Sequence, residues 1–212
     1  MNGLPTPTID ALVESHRSQA MGSAARNWAR YWSQVEGQPD LDRIEPRVAI
    51  HDWLNRFGCR LKKSAIPERA DTVVSLGAWW RATKKELVPL THTDLADLTD
   101  DQLECAIDCY LNLKRQPASD RRSLGPTAAA KVLMGVAPQT FPAWDAKIAR
   151  THYQGTGGPA YRLHLEACRS WAQSLGPIAA QRDLVESATG ITMAKLLDEW
   201  LYQVTTRGLK VT

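Results

Sequence analysis

Apolar positions recur at three- and four-residue intervals along most of the chain, and no alternating stretch of strand length stands out. The pattern predicts an all-α fold. Thr8 suits the cap of a first helix running to about Gly22, and Ser23 to Val35 continues with Trp28, Tyr31 and Trp32 on one side. Gly37-Gln38-Pro39 breaks that pair. Pro46 suits the start of a helix through Phe57, closed by Gly58, and Ile66-Pro67 opens a segment extending to Trp80 or beyond. Thr99 with Gln102 forms a capping box for a helix through about Lys114, whose Leu103, Ile107, Tyr110, Leu111 and Leu113 make one face. Gly155 to Pro159 reads as a flexible loop. Three helices follow, over Ala160 to Leu175, Pro177 to Ala188 and Thr192 to Thr206, the last closed by Gly208.

The stretch Arg121 to Tyr153 carries the most chemistry. Gly125 punctuates a turn, the run Ala128 to Val136 is small and apolar enough to be buried, and Asp145 opens a second helix after Phe141, Pro142, Ala143 and Trp144. A turn leading into a helix aims free backbone N–H groups outward and makes an anion site without charged side chains. A carboxylate at a helix N-terminus is kept ionised by the helix dipole.

This layout resembles the helix-hairpin-helix DNA glycosylases (the HhH-GPD superfamily), which include endonuclease III and the adenine and alkylbase glycosylases. Their hairpin, of the form Leu-Pro-Gly-Val-Gly, corresponds to Arg121-Arg122-Ser123-Leu124-Gly125, and Thr127 to Leu133 falls on the following helix. Ala143-Trp144-Asp145-Ala146-Lys147-Ile148 corresponds to the segment bearing the family's catalytic Asp, so the resemblance implies that role for Asp145. Ser123 and Arg122 replace the first hairpin Gly and the Pro before it; the likeness spans about a sixth of the chain. It implies two helical lobes flanking a cleft. Residues 45–140 form the central lobe ending in the hairpin, residues 1–44 with 141–212 form the other, and Asp145 stands at the mouth between them.

The resemblance further implies a monofunctional enzyme that hydrolyses the N-glycosidic bond of a damaged or modified base in double-stranded DNA and leaves an abasic site. Members that also cut the strand carry a nucleophilic Lys where this chain has Thr127, which cannot form an imine. Lys131, one turn beyond on the same face, is a possible displaced nucleophile, though it would need a lowered pKa. Cleavage develops oxocarbenium character on the sugar, which an anion stabilises, and the base must first be rotated out of the stack. Trp144, Trp79 and Trp80 are candidates for the base pocket or an intercalating wedge, while Arg121, Arg122, Ser123, Gly125 and Thr127 are candidates for gripping DNA. Plainer readings stay open: Asp145 as an N-cap, Trp79-Trp80 as core and Thr127 as an ordinary helix residue. A non-catalytic helix-hairpin-helix DNA-binding module is the alternative function, and a helical interaction protein that binds no nucleic acid is a further rival.

Composition adds limits. The 212 residues, 43% of them hydrophobic, suit one compact unit or two small lobes, and a net charge of +3 argues neither for nor against DNA. The distribution says more. Arg47, Arg56, Arg60, Lys62, Lys63 and Arg69 form one basic stretch, and Lys114, Arg115, Arg121, Arg122 and Lys131 surround the hairpin. Between them lies an acidic block from Asp94 to Asp108, expected to face solvent away from DNA. Cys59, Cys105, Cys109 and Cys168 lack the spacing of an iron–sulfur cluster, and the five histidines form no metal pair, so no cofactor or catalytic metal is expected. Neither a signal peptide nor a membrane span is evident, which predicts a cytoplasmic protein, expected to be monomeric.

Overall fold

Helices dominate the computed structural model, which describes residues 4, 6–20, 22–37, 39–181, 183–185 and 191–208. In chain order these are α1 (Ile9–Ala20), α2 (Ser23–Gln34), α3 (Ile44–Arg56), α4 (Asp71–Leu90) and α5 (Asp100–Lys114). A ribbon of β1 (Pro117–Ser119) and β2 (Arg122–Ser123) leads to α6 (Gly125–Val136), α7 (Ala146–Tyr153), α8 (Gly158–Gln181) and α9 (Met193–Tyr202). A wider turn, Gln203–Arg207, follows α9 and ends at Gly208 in the left-handed region. Gln38 in the first break, Met1–Gly3 and Pro5 at the start, and Ser187–Ala188 at the end of one expected helix lie outside the described residues.

The local signals explain most of these boundaries. Thr99 Oγ1 accepts from the amide of Gln102 while the Gln102 side chain accepts from the amide of Thr99, so the capping box is complete and α5 starts where it predicts. On α5, Leu103, Ile107, Tyr110 and Leu113 are buried and Leu111 is half-buried. Gly58 takes φ +78° after α3.

Two expectations need correction. Ala160–Leu175 and Pro177–Ala188 are not separate helices: α8 runs through Pro177 to Gln181. A proline already has helical φ and forfeits one backbone hydrogen bond, and burial of Ala172 and Ala179 on either side of it offsets that cost, so the helix continues. The β1–β2 ribbon was also unforeseen. At three and two residues its strands are too short for alternation to register, and its place is set from outside. Ser75 Oγ on α4 donates to Pro117 O at 2.7 Å.

α6 is the central element. Ala128, Ala129, Ala130, Val132, Leu133, Met134, Gly135 and Val136 are all buried, with α3 and α5 packed against it. Gly135 is required by close approach: a Cβ there would stand 3.0 Å from the Trp53 ring and 3.2 Å from the Tyr31 hydroxyl. Tyr31 instead donates to Gly135 O at 2.7 Å, and its ring stacks on Trp53 at 4.7 Å. The buried apolar cluster is continuous from α1 to α9.

Candidate functional site

The chain returns from the end of α6 to the start of α7 through a loop that carries Phe141, Pro142, Ala143 and Trp144, every one of them buried. Its anchor is His164 on α8. The imidazole lies nearly parallel to the Trp144 ring at 5.1 Å, Nε2 lies 3.3 Å from Pro142 O, and Nδ1 lies 3.3 Å from the Tyr153 hydroxyl. A carbonyl can only accept, so Nε2 carries the proton and Nδ1 accepts from Tyr153. Burial holds the imidazole neutral down to about 4. Sequence reading passed over His164, because a lone histidine in an amphipathic helix carries no motif.

This loop delivers Asp145 to the first turn of α7. Its backbone is extended, and Oδ1 accepts from the amides of Lys147 and Ile148 at 2.8 Å each. The residue is half-buried, and Oδ2 has no hydrogen-bond partner among the described residues. The capping reading is therefore satisfied by one oxygen, leaving the second for other work.

Thr127 joins the two helix starts. Its Oγ1 accepts from the amide of Ala146 at 3.1 Å, which sets the first turn of α6 against the first turn of α7. Thr127→Val keeps the shape and removes the acceptor, leaving a half-buried amide unpaired. A loss of about 1–2 kcal/mol is expected, read as a fall in Tm of roughly 2–8 °C by thermal unfolding. An unchanged Tm would show that the two helices register without this bond.

The remaining candidates divide by position. Arg121, Arg122 and Ser123 are exposed on the ribbon, and Gly125 adopts φ +73° with open space where a Cβ would go. Lys62 Nζ lies 3.5 Å from Asp120 Oδ2, so the exposed Lys62 stands beside the turn of the ribbon. Lys62 and the ribbon turn, far apart in sequence, thus share one surface. Lys131 places its ammonium 4.5 Å above the Phe57 ring. The acidic residues of α5 are exposed, yet two are paired with α8: Asp100 with Arg169 at 2.9 Å and Glu104 with Arg162.

The tryptophans are placed in the interior. Trp144 is 0% exposed, Trp79 2% and Trp80 4%, and Trp79 Nε1 donates to Cys109 O at 3.3 Å. A wedge or a stacking wall must present a ring face to its ligand, and Trp144 and Trp79 present none. Trp80 differs in one respect: it lines a cavity of about 1120 Å³ at the far end of α6, where Val136 also contributes. Asp145 does not line it, and no sequence pattern pointed to it.

Among the described residues no three His, Cys, Asp or Glu side chains come together as a metal site, and no helix is long and apolar enough to cross a membrane. The four cysteines are free thiols. No family model matches the chain, and no curated protein or solved structure matches it.

Proposed function

We propose that the protein is a monofunctional DNA glycosylase of the helix-hairpin-helix type, which hydrolyses the N-glycosidic bond of a damaged or modified base extruded from duplex DNA. The observation that carries this reading is the junction at Thr127. It sets two helix N-termini side by side, with a carboxylate oxygen of Asp145 unengaged there. The exposed Arg121 and Arg122 stand on the ribbon leading into α6. Helix starts favour phosphate, and exposed arginines add charge and donors for the backbone. In this reading Asp145 stabilises the positive charge that develops on the deoxyribose and orients the attacking water. Thr127, engaged as an acceptor, forms no covalent bond with the sugar, so the product is an abasic site. Residues 45–140 act as one lobe and residues 1–44 with 141–212 as the other, the target nucleotide entering between them at Asp145.

The test is excision from duplexes bearing a panel of altered bases, including alkylated purines and hypermodified cytosines, by wild type and Asp145→Asn. Asparagine keeps the oxygen that caps α7 and caps about as well as aspartate, so the fold should survive. Excision should fall by roughly 100-fold or more with the charge gone, and strand breakage should need heat or alkali. Equal excision by both proteins would remove Asp145 from the chemistry. The two amide bonds that Asp145 already makes favour one other reading, a DNA-binding module without catalysis. That module would bind duplex DNA with strong salt dependence and excise nothing from the panel.

A further inference from the structure

We propose that the DNA-binding surface extends from the ribbon onto the connection between α3 and α4, where Lys62 takes a backbone phosphate, and that Asp120 acts as an electrostatic brake on this surface. The inference rests on the reading of duplex DNA as the partner and names two residues to which that reading gives no part. The ribbon presents Arg121 and Arg122, both exposed, and Asp120 precedes them at its turn. Lys62 reaches the same turn: its Nζ lies 3.5 Å from Asp120 Oδ2 and 3.8 Å from Asp71 Oδ2 at the start of α4. Three bases therefore meet two acids there.

The backbone that delivers Lys62 is tied down. The Cys59 amide donates to Leu54 O at 3.1 Å, the Leu61 amide donates to Asn55 Oδ1 at 2.8 Å, and Lys62 O stands 3.3 Å from Nε2 of the buried His51. All three partners belong to α3, so little further ordering is needed on binding. The Lys62 side chain is 56% exposed and that of Asp120 83%, so their pairing is weak and screened by salt, and a phosphate can replace it. A duplex carries one phosphate charge about every 1.7 Å along its axis, so one that lies on Arg121 and Arg122 brings phosphates to the neighbouring ammonium as well.

The basic residues fall into two groups. Arg47 donates to Arg43 O at 2.9 Å and to Val73 O at 3.4 Å, Lys114 donates to Thr156 O at 2.8 Å, and Lys131 lies over the Phe57 ring; all three are engaged within the protein. Arg121 and Arg122 are exposed and have no ion pair among the described residues, and Lys62 has only its weak one. Asp120 withholds part of this positive charge. Its carboxylate has no partner but Lys62 among the described residues, and it adjoins Arg121 in the chain, so its charge opposes an approaching phosphate.

The experiment measures binding of a short unmodified duplex to the full chain by fluorescence anisotropy over a range of salt concentrations. Lys62→Gln should weaken binding roughly 3–10-fold at low salt and reduce the slope of log affinity against log salt by about one, whereas Lys62→Arg should keep the wild-type slope. Asp120→Asn should tighten binding about threefold or more. Lys84, paired with Asp42 about 20 Å along α4 from Asp71, is the control, and Lys84→Gln should change neither quantity. An unchanged slope in Lys62→Gln, no tightening in Asp120→Asn, or an equal loss in Lys84→Gln would overturn the proposal. A duplex that does not bind at all would end both this proposal and the glycosylase reading. Excision that depends on Asp145, with a wild-type slope in Lys62→Gln, would end this proposal alone, and because the slope is read without excision it stands if the Asp145 chemistry fails.

Discussion

Lowering the pH from 6.5 to about 4 should remove about 3 kcal/mol of stability through His164 alone. In the folded protein burial keeps this imidazole neutral to about 4, whereas an unfolded chain takes up the proton near 6.5. Above 6.5 neither state is charged, and the ring contributes its full packing and hydrogen bonds. As the pH falls through the window only the unfolded chain gains a proton, so unfolding becomes easier. Below about 4 both states are protonated and the loss is complete. Denaturant unfolding at several pH values across the window, for wild type and His164→Phe, isolates the effect. Phenylalanine keeps a ring against Trp144 but cannot titrate, so most of the slope should vanish even though the variant starts less stable. A slope equal to that of wild type would mean that His164 is not held neutral. The result bears on function because His164 anchors Pro142 and Trp144, and hence the loop that delivers Asp145.

Lys195→Met should destabilise the protein by about 3–5 kcal/mol at neutral pH. Lys195 is buried on α9, with Nζ 2.7 Å from Glu199 Oε1 and 3.5 Å from Asp198 Oδ2; Glu199 Oε2 lies 2.8 Å from His16 Nδ1 on α1. Burial by itself would raise the Glu199 carboxyl, but the Lys195 ammonium, helped by His16, more than offsets it and holds the group below its ordinary value. That contribution is present at neutral pH and is lost as the solution is acidified through the depressed value. Removing the ammonium strands two acids in a place that water reaches poorly. The double variant Lys195→Met with Glu199→Leu should recover part of the loss, because an apolar pair of similar volume is often as stable as a buried ion pair, while Asp198 stays without its partner. Urea unfolding of the wild type, both single variants and the double gives the coupling directly. A Lys195→Met loss below about 1 kcal/mol would show that the pair is solvated in solution.

Several features were legible in the chain because their causes are local. Thr99 and Gln102 bond each other across one turn, Asp145 caps the amides two and three residues on, and Gly125 and Gly58 mark turns that need positive φ. The candidate site was legible to the same depth: Asp145 and Thr127 were named, and they lie at adjoining helix starts. Its support was not. His164 and Tyr153 hold the Asp145 loop through contacts whose partners the sequence does not mark, and the Trp144, Trp79 and Trp80 rings are assigned to the interior only when the whole core assembles.

The amino-acid sequence by itself determined a helical chain, most of its helix starts, two basic stretches and the Asp at the head of α7. Tertiary structure decided that α8 passes through Pro177, that Lys62 meets Asp120, that His16 meets Glu199 across 183 positions, and that a cavity opens where α2, α4, α6 and α8 come near one another. The division follows from range. A capping bond or a glycine turn is settled within about one turn of backbone, whereas burial and the pairing of distant charges depend on which surfaces the whole chain brings together.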